Sequence, residues 1–335
     1  MVIRSAIPED LDRIYQITIS SFGPYCRVGL REDLYGVVDG IGWEQRKGTS
    51  VRDFCEHNLN NVLVAEDDGH VVGYYTYGLD PDHGIGQLKV NAVHPTYQGR
   101  GIGTRLAQAT LERIQLSNRI KILLVCTIMR DRPARRVYEK LGFKELARSV
   151  DYTALKSELE PGPMDPDPSL IIRAVKTEDL QRIRQIAAED VNSFGRDCLT
   201  LEPMQQRHGI IGGKTSRQRR VERAQAFCAA ETNRVYVAER NGATLGYGAF
   251  TYLGGSEVSF IYPSVDPAYK VPMLRRWLMR KLLDNIKTKT SSAMLSVSLA
   301  HEDHDGQSTC EGMGFTELTR GITYSMWKHD AVSDA

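Results

Sequence analysis

The stretch VNAVHPTYQGRGIGTRL, Val90 to Leu106, places three glycines and two arginines between an extended run and one with helical periodicity. The order it predicts is strand, turn, helix. Pro95 cannot donate to a strand ladder, so the strand ends before it. Gly99, Gly101 and Gly103 allow a tight turn and leave backbone N–H groups uncovered where the helix begins. That helix has Ile102, Leu106, Ala109, Leu111 and Ile114 for its buried face. Open amides and the positive end of a helix dipole form a site for phosphate or pyrophosphate. Arg100 and Arg105 are placed to add charge-assisted hydrogen bonds. A Rossmann fingerprint needs GxGxxG after the first strand, and a P-loop needs GK followed by Ser or Thr; neither is present. A plain turn needs one or two glycines, so three of them with an arginine at a helix mouth favour an anionic ligand.

Outward from this stretch, strands and helices alternate. PEDLDRIYQITISSF reads as an amphipathic helix, and VLVAEDDGHVVGYYTYGL as a hairpin around Asp68-Gly69. KILLVCTI fits a strand covered on both faces, RPARRVYEKLG a short helix stopped at Gly142, and FKELARSVDY a last strand. The fold class is therefore α/β with a mixed sheet. The pattern then repeats. IRSAIPEDLDRIYQI from Ile3 returns as IRAVKTEDLQRIRQI from Ile172, SFGPYC from Ser21 as SFGRDC from Ser193, and YEKLGF ending at Phe143 as CEGMGF ending at Phe315. The near-constant spacing of these matches marks two copies of one domain, a tandem duplication rather than a solenoid. Residues 1–155 form the first domain, the proline-rich and acidic segment 156–169 a linker, and 170–330 the second domain.

Composition sets limits on partners. In 335 residues, 43 Lys and Arg face 42 Asp and Glu, so no global field draws the chain to nucleic acid or an anionic membrane. The basic segment Gly212 to Gln225 reads as a solvated helix face. The N-terminus lacks a signal-like apolar run and no stretch is long enough to span a bilayer, which points to a cytoplasmic protein. The six cysteines are scattered and without CxxC pairs, so free thiols and no metal are expected.

At this point the residues resemble the GNAT superfamily of N-acetyltransferases. Gln98, Gly101 and Gly103 fill that family's Q/R-x-x-G-x-G/A motif for acetyl-CoA, and RRVYEKLGF resembles its later motif through Tyr138 and the Leu141-Gly142-Phe143 end. The resemblance covers the whole first copy and implies two tandem GNAT folds. It further implies that the backbone of Asn91, Ala92 and Val93 binds the pantetheine arm. The amides of Gly99, Arg100, Gly101, Ile102, Gly103 and Thr104 would hold the pyrophosphate, with Asp131 near the cofactor. Tyr138 is implied as the general acid for the leaving thiolate, and the Val93 N–H as the donor that polarises the thioester carbonyl.

The base is where the chain departs from the family. Gln87 stands where many members carry a glutamate, and Cys126 falls near another carboxylate position. The candidates left are His83, Asp80, Asp82 and His94. The second copy reads DPAYKVPMLRRWL in place of HPTYQGRGIGTRL, loses every glycine, and has Cys310 for Tyr138. It is expected to bind no CoA and to wall the substrate cleft or replace a second subunit, leaving a monomer with pseudo-dimeric pairing or a homodimer. The expected reaction is direct acetyl transfer from acetyl-CoA to a primary amine of a small molecule. The alternatives are acetylation of a protein N-terminus or lysine, and a non-catalytic CoA sensor. Acceptor choice is expected to lie in loops such as Gly29 to Ser50.

Overall fold

Asp68 and Gly69 both adopt positive φ, 48° and 77°, the geometry of a tight two-residue hairpin turn. They join β2 (Val62–Asp67) to β3 (His70–Asp80), with Asp67 opposite His70. Asn241 and Gly242 repeat the turn at 52° and 77°, joining β8 (Asn233–Arg240) to β9 (Ala243–Gly254). The duplication read in the sequence is thus repeated in the backbone. The computed structural model describes residues 1–159, 168–190, 199–231, 233–254, 257–269, 273–286 and 294–332. The copy-two segment SFGRDC and most of the proline-rich linker lie outside the described residues.

The chain forms two units, Met1–Leu146 with Gly321–Ala335, and Ala147–Arg320. In the first, β1 (Val2–Ser5), β2, β3 and β4 (Ile85–Val93) are antiparallel neighbours, and β4 pairs in parallel with β5 (Ile122–Ile128). Its helices are α1 (Leu11–Ser21), α2 (Arg27–Tyr35), α3 (Trp43–His57), α4 (Ile102–Gln115) and α5 (Arg132–Lys140). Two apolar clusters flank this sheet. One holds Ile14 and Ile17 of α1 with Val51 and Cys55 of α3, and the other Leu106, Leu111 and Ile114 of α4 with Tyr138 and Phe143. The segment Gly29 to Ser50, which sequence patterning left as a loop, falls largely within α2 and α3. Gly48 lets α3 approach α1, since a Cβ there would lie 2.5 Å from the Tyr15 ring.

The units do not follow the boundary of the sequence repeat at its last strand. From Ala147 on, β6 (Lys144–Leu155) belongs to the second unit, where Ser149 to Leu155 pair antiparallel with β11 (Met294–Ala300). From Gly321 on, β12 (Thr316–Trp327) belongs to the first, where Gly321 to Trp327 pair antiparallel with Ile128 to Ile122 of β5. Ile322, Tyr324 and Met326 therefore sit in the core beside Tyr138. The exchange needs no change of chemistry, because FKELARSVDY and FTELTRGITY present the same alternation of side chains.

The second unit also holds β7 (Leu170–Ala174), α6 (Leu180–Glu189), α7 (Leu201–His208), α8 (Ser216–Ala229), β10 (Glu257–Val265), α9 (Leu274–Asn285) and α10 (His304–Gly312). The expectation of a solvated face for the basic segment fails at two residues. Arg219 and Arg220 of α8 are buried, with Arg219 donating to the Ile211 carbonyl and Arg220 to the carbonyls of Ala187 and Ala188 and to Glu202. Their guanidinium donors satisfy backbone oxygens inside the unit, a use that charge counting along a helix does not reveal.

Candidate active site

The parallel ladder between β4 and β5 runs only from Ile85 opposite Ile122 to Leu88 opposite Val125. Beyond it, β4 keeps β3 alone as a strand partner through Asn91, Ala92 and Val93. A bulge opposite Thr76 starts this separation, and the Thr76 hydroxyl absorbs it by accepting from the Val90 N–H and donating to the Val90 carbonyl, each at 2.9 Å. The His94 N–H donates to the Val72 carbonyl at 2.9 Å, which makes Gly73 and Val93 a non-hydrogen-bonded pair. By the alternation of an antiparallel ladder, the peptide groups of Val93 and Asn91 point away from β3 into the gap toward β5. Those of Ala92 turn to Tyr74, so the expected backbone contact of Ala92 with a ligand is corrected: its N–H and carbonyl serve the sheet.

Two side chains fix the end of this strand. The Val93 carbonyl accepts from Ser21 Oγ at 3.1 Å, tying in the end of α1, and from Gln98 Nε2 at 2.9 Å. Gln98 thereby buckles the glycine turn to β4, a role different from direct contact with a ligand. Gly99 and Gly101 adopt φ of 77° and 76°, which side chains other than glycine reach only with strain. Gly101 is the N-cap of α4, and no side chain caps it. The Arg105 N–H, at 3.1 Å from the Gly101 carbonyl, makes the first bond of the helix, so the amides of Ile102, Gly103 and Thr104 are the orphan donors of its first turn. A Cβ built on Gly99 or Gly101 meets nothing within 4 Å, and on Gly103 only a Val93 methyl at 3.9 Å. Apart from that methyl, no side chain or neighbouring atom fills the space beside these glycines, and orphan amides at an uncapped helix start fit a pyrophosphate. Arg100 donates to the Thr96 carbonyl at 3.1 Å and lies over the Tyr97 ring, which keeps its charge beside the turn.

Asp131 is used otherwise. It caps α5, with Oδ1 accepting from the Ala134 N–H at 3.1 Å and Oδ2 from Thr127 Oγ1 at 3.3 Å. Burial raises its pKa, against the pull of those two bonds. Tyr138, also on α5, is 3% exposed, and its hydroxyl accepts from Asn91 Nδ2 at 3.3 Å. Burial pushes the phenol up to about 12, with Asn91 and Tyr75 acting to lower it. The Tyr75 hydroxyl interacts with Tyr138 without reaching good hydrogen-bond geometry. The Tyr138 ring packs on Phe143 and on Tyr324, whose hydroxyl accepts from Arg135 Nε at 3.0 Å and donates to Glu139 Oε1 at 2.9 Å. Tyr324 was not foreseen; its only signal was the likeness of FTELTRGITY to FKELARSVDY.

The candidate bases are scattered. His83 Nδ1 lies 2.7 Å from Asp80 Oδ2 in the turn between β3 and β4, Asp82 pairs with Arg119, and His94 Nδ1 meets Thr96 Oγ1 at 2.9 Å. Gln87 is exposed on β4, and Cys126 is half-buried on β5. Among the described residues, no set of three or more His, Cys, Asp or Glu is arranged to hold a metal, and no helix is long and apolar enough to cross a membrane.

The second unit has its own cleft, about 610 Å³, at the corresponding turn, lined by Tyr269, Met273, Arg275, Arg276, Asp305 and Ser308 among others. Val271 and Pro272 of that turn lie outside the described residues. Met273 caps α9 with φ of 67°, the conformation Gly101 has in the first unit. Arg275, in the place of Gly103, reaches across to Asp305 at 3.2 Å, and Arg276 donates to the Gly312 carbonyl at 3.2 Å. Cys310, in the place of Tyr138, is fully buried, and burial raises its thiol pKa far above the ordinary value.

Residues 21–143 match the family model described as Acetyltransferase (GNAT) family. Over 91 residues the chain is 33% identical to a mycothiol acetyltransferase of Thermomonospora curvata, covering 27% of this chain and 30% of that protein. Over 143 residues it is 24% identical to a putative ribosomal protein bS18 alanine N-acetyltransferase of Bacillus subtilis, covering 42% of this chain and 80% of that protein. The match thus spans less than a third of the first relative and most of the second. Among solved structures, a GCN5-related N-acetyltransferase from Sphaerobacter thermophilus matches 98% of this chain and 95% of its own at 13% identity, TM-score 0.64. A tandem GNAT protein from the clavulanic acid biosynthesis pathway matches 98% of both chains at 14% identity, TM-score 0.62. At such identities the likeness is one of fold.

Proposed function

We propose, from the premise that this chain belongs to the GNAT family of acetyltransferases through residues 21–143, that it moves an acetyl group from acetyl-CoA to a primary amine of a small molecule. The first unit is the catalytic one. The observation that carries this reading is the parting of β4 from β5 after Leu88 and Val125, beside an uncapped helix N-terminus whose glycines face open space. Acetyl-CoA, when bound, supplies an acetyl group activated as a thioester.

The chain's own residues do the rest. The amides from Gly99 to Thr104 hold the pyrophosphate by orphan N–H groups and the helix dipole. The backbone of Asn91 and Val93 aligns the pantetheine arm as an added strand along the open edge of β4. The Val93 N–H donates to the thioester oxygen as negative charge grows there, and it is fixed in place because Ser21 and Gln98 hold the Val93 carbonyl. Tyr138, protonated throughout the neutral range, gives its hydroxyl proton to the leaving sulfur and regains one as the amine sheds its proton on forming the amide, with Asn91 orienting the phenol. The amine approaches from the side of α1 and α3, which pack closely on each other at Gly48.

The test incubates the full chain with acetyl-CoA and a panel of primary amines while free thiol is followed. Thiol release that depends on an amine and falls in Tyr138→Phe is the expected result. Tight CoA binding without release from any amine would instead support a CoA-binding sensor, the reading that the exposed Gln87 favours by offering no carboxylate on β4.

A further inference from the structure

The acceptor side of the first unit contains an ammonium group that nothing above employs. Lys47, on α3, is half-buried, and its Nζ stands 4.7 Å from the centroid of the Phe22 ring. Phe22 follows Ser21, the residue whose hydroxyl holds the Val93 carbonyl, so the ring beneath the ammonium belongs to the residue next along the chain from that anchor. Among the described residues, Lys47 makes no ion pair with a carboxylate. The groups that face it are the buried Cys26 thiol and the Arg27 guanidinium, the first raising its pKa and the second lowering it, while burial lowers it most of all. Lys89 of β4 lies similarly over Phe54 of α3, 5.2 Å from its centroid. Two lysines thus stand on aromatic rings along the same flank of β4.

We infer that Lys47 binds a carboxylate carried by the acceptor, so that the substrate class is amines that also bear a carboxylate group. This rests on the acetyl-transfer reading above. A half-buried cation over an aromatic ring, with no carboxylate paired to it among the described residues, lacks a counter-charge, and an anionic substituent on the acceptor supplies one. One ammonium over an aromatic floor, without a guanidinium fork or a run of open amides, suits a monoanion better than a phosphate. The same charge acts on the reaction. A fixed cation near the acceptor nitrogen lowers the pKa of its ammonium form and raises the share of neutral amine, which eases the demand for a base that Gln87 cannot meet.

The experiment uses the full chain, acetyl-CoA, and α-amino acids paired with their α-amides, which present the same amine with and without the carboxylate. The acids are expected to show kcat/KM about tenfold or more above the amides, expressed mainly in KM. Lys47→Met brings that ratio to about one, and Lys47→Arg keeps it above one. Lys47→Gln takes the place of Lys47→Met if the latter gives no folded protein, folding being judged by CoA affinity. A ratio of about one in the unmodified chain, or a ratio unchanged in Lys47→Met, overturns the inference. So does a fall in kcat of equal size for acids and amides, which would assign Lys47 to proton transfer. If no amine releases thiol, acetyl transfer itself fails, and the anion site is then judged by thermal stabilisation of the CoA-loaded chain. Stabilisation by the acids but not the amides, lost in Lys47→Met, upholds it; equal stabilisation by both overturns it.

Discussion

The helices α4 and α9 begin on the same N-cap conformation and on opposite side chains. Both place an uncapped left-handed residue at the helix N-cap, Gly101 at φ 76° and Met273 at φ 67°. The left-handed N-cap is therefore a demand of the fold, met without strain by glycine and with strain by methionine. What separates the units is the space in front of the turn. No side chain stands there at Gly99, Gly101 and Gly103, whereas Arg275 and Arg276 line the second unit's cleft and bond to Asp305 and Gly312. The absence of glycines from DPAYKVPMLRRWL suggests that the fold does not need them there, but the left-handed N-cap argues otherwise for one of them. Gly101 answers to the fold as well as to a ligand, and Gly103, whose φ is not positive, is the glycine that a ligand explains best.

The largest effect is expected from testing whether the first copy is self-sufficient. Removing residues 316–335 strips β5 of Gly321 to Trp327 and takes Ile322, Tyr324 and Met326 out of the core around Tyr138. Deleting buried side chains of this size costs about 2–5 kcal/mol each, and a domain has about 5–15 kcal/mol in total. The truncated chain should lose the cooperative unfolding of its first unit and its CoA affinity, both readable by calorimetry. A truncated chain that still binds CoA would mean the first copy closes its own sheet.

Next in size is an exchange of residues between the turns. Gly103→Arg, which copies the second unit, and Gly101→Val are each expected to weaken CoA binding by about a hundredfold or more, through lost pyrophosphate contacts and, for valine, about 1–2 kcal/mol of left-handed strain. The converse change Met273→Gly should leave CoA affinity as it is and raise stability by up to about 1 kcal/mol, relief of strain being offset in part by glycine's entropy. Isothermal titration and thermal unfolding of the three variants check this. Equal losses of CoA affinity from the changes at 103 and 273 would dissolve the distinction between the units.

A third test separates Tyr138 from its counterpart Cys310. Tyr138→Phe should lower kcat about a hundredfold with little change in CoA affinity, whereas Cys310→Ala should affect stability alone. Because burial pushes the Tyr138 phenol up to about 12, it stays protonated at every pH the assay covers. The pH profile of kcat in the unmodified chain should thus show no alkaline fall due to this group below about pH 12. A fall between pH 8 and 10 that vanishes in Tyr138→Phe would contradict the environment described here.

How much of this was legible in the sequence depends on how local each signal was. The Asp68-Gly69 turn, the strand before Pro95 and the helix after Gly101 were readable because dihedral preference and periodicity act within a few residues. The glycine turn between them was readable for the same reason. The exchange of final strands was not, since FKELARSVDY and FTELTRGITY are equally good partners for either fifth strand, and pairing choice is a long-range matter. The side-chain bonds from Gln98 and Ser21 to the Val93 carbonyl were equally hidden, because they join residues that only the folded sheet brings together. In the basic segment, Arg219 and Arg220 look like surface charge until the carbonyls they satisfy are seen.

The smallest effect concerns something both copies kept. Arg4 clamps Asp10 at 2.7 and 3.0 Å and reaches Glu66 at 2.7 Å, while Arg173 clamps Asp179 at 2.7 and 2.9 Å and reaches Glu239 at 2.8 Å. Each aspartate also accepts a backbone N–H, from Ile7 or Lys176. For Asp10, burial pulls the pKa upward but Arg4 and Ile7 outweigh it, whereas for Asp179 the Arg173 bonds lead and Thr244 Oγ1 adds another at 3.0 Å. Both carboxyls are thus held below the usual range. A carboxylate with a depressed folded pKa stabilises the protein above its unfolded value, about 3.9, and that contribution is lost as pH falls through the folded value. With one donor fewer and burial working against it, Asp10 should protonate first on acidification, and the first unit should lose its clamp at a higher pH than the second. Carbon-detected NMR titration of the two carboxyls reads this order directly. Asp10→Asn and Asp179→Asn should each cost about 1–3 kcal/mol at neutral pH, as expected for hydrogen bonds to a charged group, and the cost should fade as the pH drops through each folded value. The reverse order of titration would show that neither the number of donors nor burial sets the order in which the two clamps are lost.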